Sequence, residues 1–378
     1  MRITQIVKKV KKKYGVNVSA KETSQSVILE GETCDYKQLV NIGKEFVDRK
    51  SGKHVVNNIV FTCAPHETIY QPNLTDNALD GKKVDVLVIG GGVIGCAVLR
   101  ELTRYNLSCL LVEKHSDVAH GASGANDGMV HAGIDLHSGY LKTYYGPKGN
   151  SMFDRVTKEL DVPFVRSGQY VIFANRLIQL FGRTYVSRSK KHNIPGVRML
   201  NKKEIDAIEP NTRSWAVGAL YAPTTGAVSP YKLTIAYAEN ACQNGAIVSF
   251  DTIVTDIVRN GDEIIKVTTN RGEIIPKVVI NCAGVFADKI AEMAGDKFYS
   301  IHPRKGTDLI MDGKVSNQIA HNSISRAPTL KMLMGENRNT KGGGIVVTVD
   351  GNILIGPDAV ETPLCEDIST TAENIKKV

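Results

Sequence analysis

The sequence predicts an α/β protein: a domain built on a parallel sheet, joined to an antiparallel-sheet domain and preceded by a small α+β domain. Three observations carry this. A buried-strand pattern runs straight into a glycine turn and a helix at 84–105. Three short strands with hairpin turns follow one another at 253–275. The first 62 residues hold a separate α-β-β-α-β pattern with its own apolar positions.

At the N-terminus, Ile3, Ile6, Val7, Val10 and Tyr14 recur at helical spacing, with Lys8, Lys9, Lys11, Lys12 and Lys13 mostly on the opposite face. Val16 and Val18 alternate with polar neighbours, and Val27 to Leu29 forms a second strand. Residues 36–49 read as a helix with Leu39, Ile42 and Phe46 inward, and 55–61 as a third strand. Residues 1–60 hold twelve Lys/Arg and six Asp/Glu, so they supply most of the net charge of +8. A lysine-rich outer face is usually a solvated one. Nucleic-acid binding is disfavoured, because no aromatic residues are interleaved with the basic ones. Residues 63–82 read as a linker, with breakers at Pro65, Pro72, Asn73, Asp76, Asn77, Asp80 and Gly81.

The strand at 84–89 then meets Gly90, Gly92 and Gly95, which fill G-x-G-x-x-G. The first glycine permits the tight turn, the second a close approach of backbone to pyrophosphate, and the third the packing of helix on strand. The next helix presents N–H groups and a positive dipole end to phosphates. A second apolar strand at 108–112 ends at Glu113, an acid placed to accept hydrogen bonds from a ribose 2′-hydroxyl. An acid there also disfavours the 2′-phosphate of NADP. The pattern is that of a Rossmann-like unit.

After Glu113 comes a glycine- and serine-rich loop from Gly121 to Gly133, containing Ser123, Asn126, Gly128 and His131. Small residues there let backbone N–H groups reach a pyrophosphate and a flat ring. Further on, 203–208 is a short helix stopped by Pro210, and 231–244 a longer one entered from Pro230. Residues 253–258, 263–269 and 273–275 form a meander whose first turn is Asn260-Gly261, and 277–281 returns as a buried strand. The last residues begin a capped helix, with Ser369 or Thr370 as the cap and Glu373 in its first turn.

Composition is that of a globular chain: 42% hydrophobic and 23% charged over 378 residues, enough for two or three domains. Nothing reads as a signal peptide or membrane span, which makes a cytoplasmic protein the expectation. The seven cysteines are scattered, odd in number and without C-x-x-C, so reduced thiols are expected, with no metal site. Cys96, Cys109 and Cys282 sit in apolar stretches as small core residues.

From 83 to 378 the chain resembles the FAD-dependent oxidoreductases of the D-amino-acid-oxidase superfamily, in the branch of anaerobic-type glycerol-3-phosphate and L-2-hydroxyglutarate dehydrogenases. The matching stretches are 88–95, 121–133, Glu209-Pro210, 222–230, 281–288, 303–306 and 350–357, in family order. The resemblance implies a Rossmann-like FAD-binding domain with an antiparallel-sheet substrate domain, and FAD rather than NAD as cofactor. It implies that Gly90, Gly92, Gly95 and Glu113 hold the ADP half. Ser123, Asn126 and Gly128 lie toward pyrophosphate and flavin, the Val254 backbone meets adenine, and Gly284 closes a second turn against the cofactor. The reaction implied is hydride transfer from a CH–OH group of a small anionic substrate to flavin N5. Glycerol 3-phosphate is the first choice. L-2-hydroxyglutarate, an amine or amino acid, and a non-catalytic flavoprotein are the alternatives. His131 is the first candidate for proton acceptance, with His137 and His302 behind it. Arg304 and Lys305 are candidates to bind the anion, the first bidentately and the second as a point charge. The electron acceptor is a quinone, a partner flavoprotein or oxygen. Relatives continue well beyond position 378, so a truncated C-terminus is expected. The order of the first 62 residues, with Leu29-Glu30-Gly31 and 55–59, resembles the BON domain. That resemblance implies membrane-surface or protein contacts, with the protein peripheral at a membrane.

Overall fold

In the computed structural model, residues 3–48, 51–136, 138–327 and 344–378 are described, apart from the side chain of Asn317. They group into two units. The first comprises Met1–Ala122, Tyr237–Lys305 and Val360–Ser369; the second comprises Ser123–Ala236, Gly306–Ala359 and Thr370–Val378.

Within the first unit, the N-terminal residues form the expected α-β-β-α-β order. Helix Ile3–Tyr14 and helix Tyr36–Glu45 cover one three-stranded sheet. In it, Val18–Glu22 pairs antiparallel with Ser26–Thr33, which pairs parallel with His54–Phe61. Val10, Leu29 and Ile42 are fully buried between helices and sheet. The second helix starts where Asp35 accepts a hydrogen bond from the Gln38 N–H at 3.0 Å. Two of the lysines, Lys9 and Lys13, reach Glu45 at 2.7 and 2.6 Å. The outer edge of His54–Phe61 is met by residues 298–302. There Asn57 N–H donates to Ser300 Oγ at 2.9 Å, and Ser300 N–H donates to the Val55 carbonyl at 3.2 Å. That contact covers part of a strand edge that would otherwise be open.

Cys34 and Cys63 are joined as a disulfide, their Cα atoms 4.9 Å apart. This corrects the expectation that all seven thiols are reduced. Cys34 ends the turn before the second helix and Cys63 follows the third strand, so only the fold brings two distant, motif-free cysteines within bridging reach. Cys96 and Cys109 are buried as expected, and burial pushes the Cys96 thiol up to about 12.

The remainder of this unit is a six-stranded mixed sheet in the order Ile247–Ser249, Cys109–Val112, Lys82–Ile89, Gly272–Asn281, Glu263–Thr269, Val254–Asn260. The first four strands are parallel, as the continuous apolar runs suggested, and the last three form the meander. One expectation changes. Residues 273–275 and 277–281 are not two strands but one, Gly272–Asn281. Pro276 broke the pattern in the sequence. It is tolerated because pairing with the meander ends at Ile274, while the parallel pairing with Lys82–Ile89 continues past it.

In the second unit, a seven-stranded sheet runs in the order Leu309–Met311, Ile353–Gly356, Gly344–Val347, Ile324–Arg326, Gln169–Phe173, Gly218–Ala222, Arg198–Asn201. It is antiparallel except where Ile324–Arg326 meets Gln169–Phe173. Glu209 is fully buried beside it and accepts hydrogen bonds from the His321 N–H at 2.8 Å and Asn322 Nδ2 at 3.0 Å. The terminal helix is Ala372–Lys377, and its cap is Thr371 rather than Ser369 or Thr370. Among the described residues no helix is long and apolar enough to cross a membrane.

Candidate functional site

Strand Lys82–Ile89 delivers Gly90 at φ +108°, a conformation that favours glycine. The turn is also crowded by backbone. A Cβ at Gly90 would stand 2.5 Å from the Cys282 carbonyl oxygen, and one at Gly95 would stand 2.0 Å from the Gly90 oxygen. Gly92 is the N-cap of helix Val93–Leu102 and, lacking a side chain, puts no oxygen of its own over the positive end of the helix dipole, which faces the turn. This is the arrangement that receives a phosphate at a helix N-terminus.

Glu113 stands at the mouth of the turn. Its Oε2 accepts from the Gly91 N–H at 2.6 Å and its Oε1 from the His115 N–H at 2.9 Å. A Cβ on Gly91 would lie 3.1 Å from the Glu113 side chain, so close approach explains this glycine too. Val254 opens its strand opposite Thr269 with its side chain in the core, which leaves only its backbone for any ligand. Gly284 has φ +55° and open space where a side chain would stand. The structure thus brings Gly90, Gly92, Gly95 and Glu113 together, with Gly284 two residues after the carbonyl that closes the turn.

Ser123, Asn126, Gly128 and His131 lie in the second unit. Asn126 shapes its own loop, donating to the Ser123 carbonyl at 3.1 Å and accepting from the Gly128 N–H at 2.9 Å. Gly128 has φ +64°, and a Cβ there would come within 2.3 Å of the Val228 oxygen. Its presence is therefore required by packing on strand Gly226–Val228. His131 is exposed between strand Met129–Val130 and buried Ala132. Its carbonyl accepts from Asn150 Nδ2 at 3.1 Å, and the same amide donates to the Thr224 carbonyl at 2.9 Å. Arg166 locks Asn150 in turn, donating to its Oδ1 at 3.0 Å and its carbonyl at 2.7 Å. Sequence reasoning missed Asn150 and Arg166. The signal was a lone amide on the buried side of helix Leu141–Glu159.

Arg304 and Lys305 form a short strand paired with Val360 and Glu361 in the first unit. Lys305 does not present its charge as expected. Its Nζ lies 2.6 Å from Asp367 Oδ2 and 3.0 Å from Ser369 Oγ, and the side chain is 11% exposed. Asp367 compensates that cation internally, and Lys305 in turn holds the Asp367 carboxyl down to about 2. Arg304 is more open and lies 3.5 Å from Glu361, which Lys44 also reaches at 3.0 Å. His302 is a packing residue. It is hydrogen-bonded to Asn57 at 3.1 Å and edge-on to Tyr36, and burial pushes its pKa down. His137 lies outside the described residues. Among the described residues no group of His, Cys, Asp and Glu is arranged to hold a metal ion.

Residues 85–377 match the family described as DAO, FAD dependent oxidoreductase. A glycerol 3-phosphate dehydrogenase of Caloramator mitchellensis is 37% identical over 292 residues, which make up 77% of this chain and 58% of that protein. A glycerol 3-phosphate oxidase of Mycoplasma pneumoniae is 29% identical over 286 residues, 73% of this chain and 71% of that protein. Among solved structures, a dithionite-reduced L-alpha-glycerophosphate oxidase from Mycoplasma pneumoniae with FAD bound superposes with a TM-score of 0.69 at 26% identity. That match covers 78% of this chain and 76% of the other.

Proposed function

The chain belongs to the family of FAD dependent oxidoreductases, and from that premise we propose that it oxidises the secondary alcohol of glycerol 3-phosphate. The observation that carries the reading is the glycine turn: backbone closes on backbone at Gly90 and Gly95, a helix N-terminus begins at Gly92 with no side chain from that residue over it, and Glu113 stands at its mouth. These features fit the pyrophosphate and ribose of FAD, and the open space at Gly284 fits an approaching planar group. The names of the relatives support the substrate.

When bound, FAD supplies the hydride acceptor. Arg304 anchors the phosphate, since a guanidinium forms paired hydrogen bonds with such an anion. His131 accepts the hydroxyl proton, and Asn150, braced by Arg166, holds the backbone that carries it. Ser123 and Asn126 shape the loop that meets the cofactor. Lys305 acts by fixing the segment around Asp367 rather than by touching substrate.

The α-β-β-α-β order of residues 3–61 supports reading them as a BON-like contact domain. Exposed Lys8, Lys11 and Lys12 would face an anionic membrane surface, with a quinone or partner flavoprotein as electron acceptor.

The test is a spectrum of the purified protein followed by anaerobic addition of glycerol 3-phosphate. The expected result is a flavin band that bleaches with glycerol 3-phosphate and not with L-2-hydroxyglutarate or amino acids. Bleaching by one of those instead would overturn the substrate assignment, and a colourless folded protein would overturn the cofactor.

A further inference from the structure

Residues 63–82 precede the region that matches the family and contain no helix or strand before Lys82. They nevertheless run along one rim of the first unit, tied at several points. Glu67 accepts from the Cys365 and Glu366 N–H groups. Tyr70 donates its N–H to Glu366 Oε2 at 2.6 Å, and its ring stacks on His115 with centroids 4.5 Å apart and planes 25° apart. His115 stacks in turn on His120 at 5.0 Å. The Leu74 carbonyl accepts from Asn270 Nδ2 at 2.6 Å, and the Asp76 carboxylate takes the Arg271 guanidinium at 2.9 to 3.2 Å.

The partners of this strap share one location. Asn270 also donates to the Asp251 carbonyl at 2.8 Å and accepts from the Ile253 N–H at 2.8 Å. Arg271 reaches Ser249 Oγ at 3.2 Å. Residues 113–115 are zipped to the same stretch. Glu113 N–H donates to the Ser249 carbonyl at 3.0 Å, Asp251 N–H to the His115 carbonyl at 3.0 Å, and Thr252 N–H to the Glu113 carbonyl at 2.8 Å. The strap therefore borders the two stretches that carry Glu113 and Val254.

We propose that residues 63–82 form a strap closing the adenosine side of the FAD site, with the Tyr70 ring on His115 as its clasp. This rests on the FAD reading above. A segment without secondary structure holds its place only through such ties. The stack is the tie nearest Glu113, since His115 donates its own N–H to that carboxylate. An aromatic stack of this kind corresponds to roughly a three- to tenfold change in an equilibrium constant.

The test uses the full chain with FAD and with ADP alone. Tyr70→Ala is expected to raise the ADP Kd and the FAD release rate by about three- to tenfold, and Asp76→Ala to do the same from the other end. Tyr70→Phe, which keeps the ring, should match the parent. Added ADP should slow hydrogen exchange of the strap amides in the parent protein, a response that a purely structural tether would not give. Parent-like ADP binding and FAD release in both alanine variants, or strap exchange indifferent to ADP, would overturn the strap alone. A parent protein that binds neither ADP nor FAD would overturn the dinucleotide site itself.

Discussion

Gly95→Ala separates two physical effects of opposite sign. Gly95 lies in the first turn of helix Val93–Leu102. On propensity alone, alanine in place of a helical glycine should stabilise the protein by roughly 0.5–1 kcal/mol. The structure predicts the reverse. The new Cβ would stand 2.0 Å from the Gly90 carbonyl oxygen and 3.4 Å from the Cys282 side chain. Helix and turn must separate by about 1 Å to admit it, and overpacking of that kind costs roughly 1–3 kcal/mol. The contact therefore outweighs the propensity gain, and a net loss of about 1–2 kcal/mol is expected. At roughly 2–4 °C per kcal/mol, Tm should fall by about 2–8 °C. The same displacement opens the turn proposed to receive pyrophosphate, so flavin absorbance per protein should drop with it. The assay is thermal unfolding together with the visible spectrum. A Gly95→Ala protein with raised Tm and full flavin content would refute the account of the turn.

Glu113→Gln keeps the shape of the side chain but replaces one acceptor oxygen with a donor facing backbone N–H groups. It should weaken FAD binding about tenfold, as read by flavin titration, through loss of a charge-assisted contact of roughly 1.5 kcal/mol. Arg304→Ala is expected to raise the KM for glycerol 3-phosphate far more than it lowers FAD content; unchanged steady-state kinetics would remove Arg304 from the site. Asp308 predicts a pH effect. Its Oδ1 is buried and has no hydrogen-bond partner among the described residues, and burial, helped by Asp127 and Asp358, pushes the carboxyl up to about 6. Between about pH 4 and 6 the folded state keeps a proton that the unfolded chain has released, so the residue costs stability above pH 6 and nothing below pH 4. Asp308→Asn should therefore raise Tm at pH 8 and leave it nearly unchanged at pH 4. An equal shift at both values would show that charge is not the cause.

The glycine turn and its acid were legible because their geometry follows local order. Gly90, Gly92 and Gly95 are fixed relative to one another by one strand, one turn and one helix, and Glu113 by the next strand. The meander was legible for the same reason, through Asn260-Gly261. Pro276 misled because its tolerance depends on which neighbouring strand has ended beside it. Lys305 misled because its partner, Asp367, lies 62 residues away and nothing in the local pattern marks the pair.

By itself, the sequence determined the α/β class, the glycine turn with its acid, and the small α+β module at the N-terminus, since each is written in periodicity and in residues a few positions apart. Only the tertiary structure decided the Cys34–Cys63 bridge, the placing of His302 against Asn57, the Asn150–Arg166 brace behind His131, and the course of residues 63–82. Each of these depends on groups far apart in the chain meeting at hydrogen-bond or stacking distance. Such meetings are set by how strands and helices pack, a constraint that local spacing does not carry.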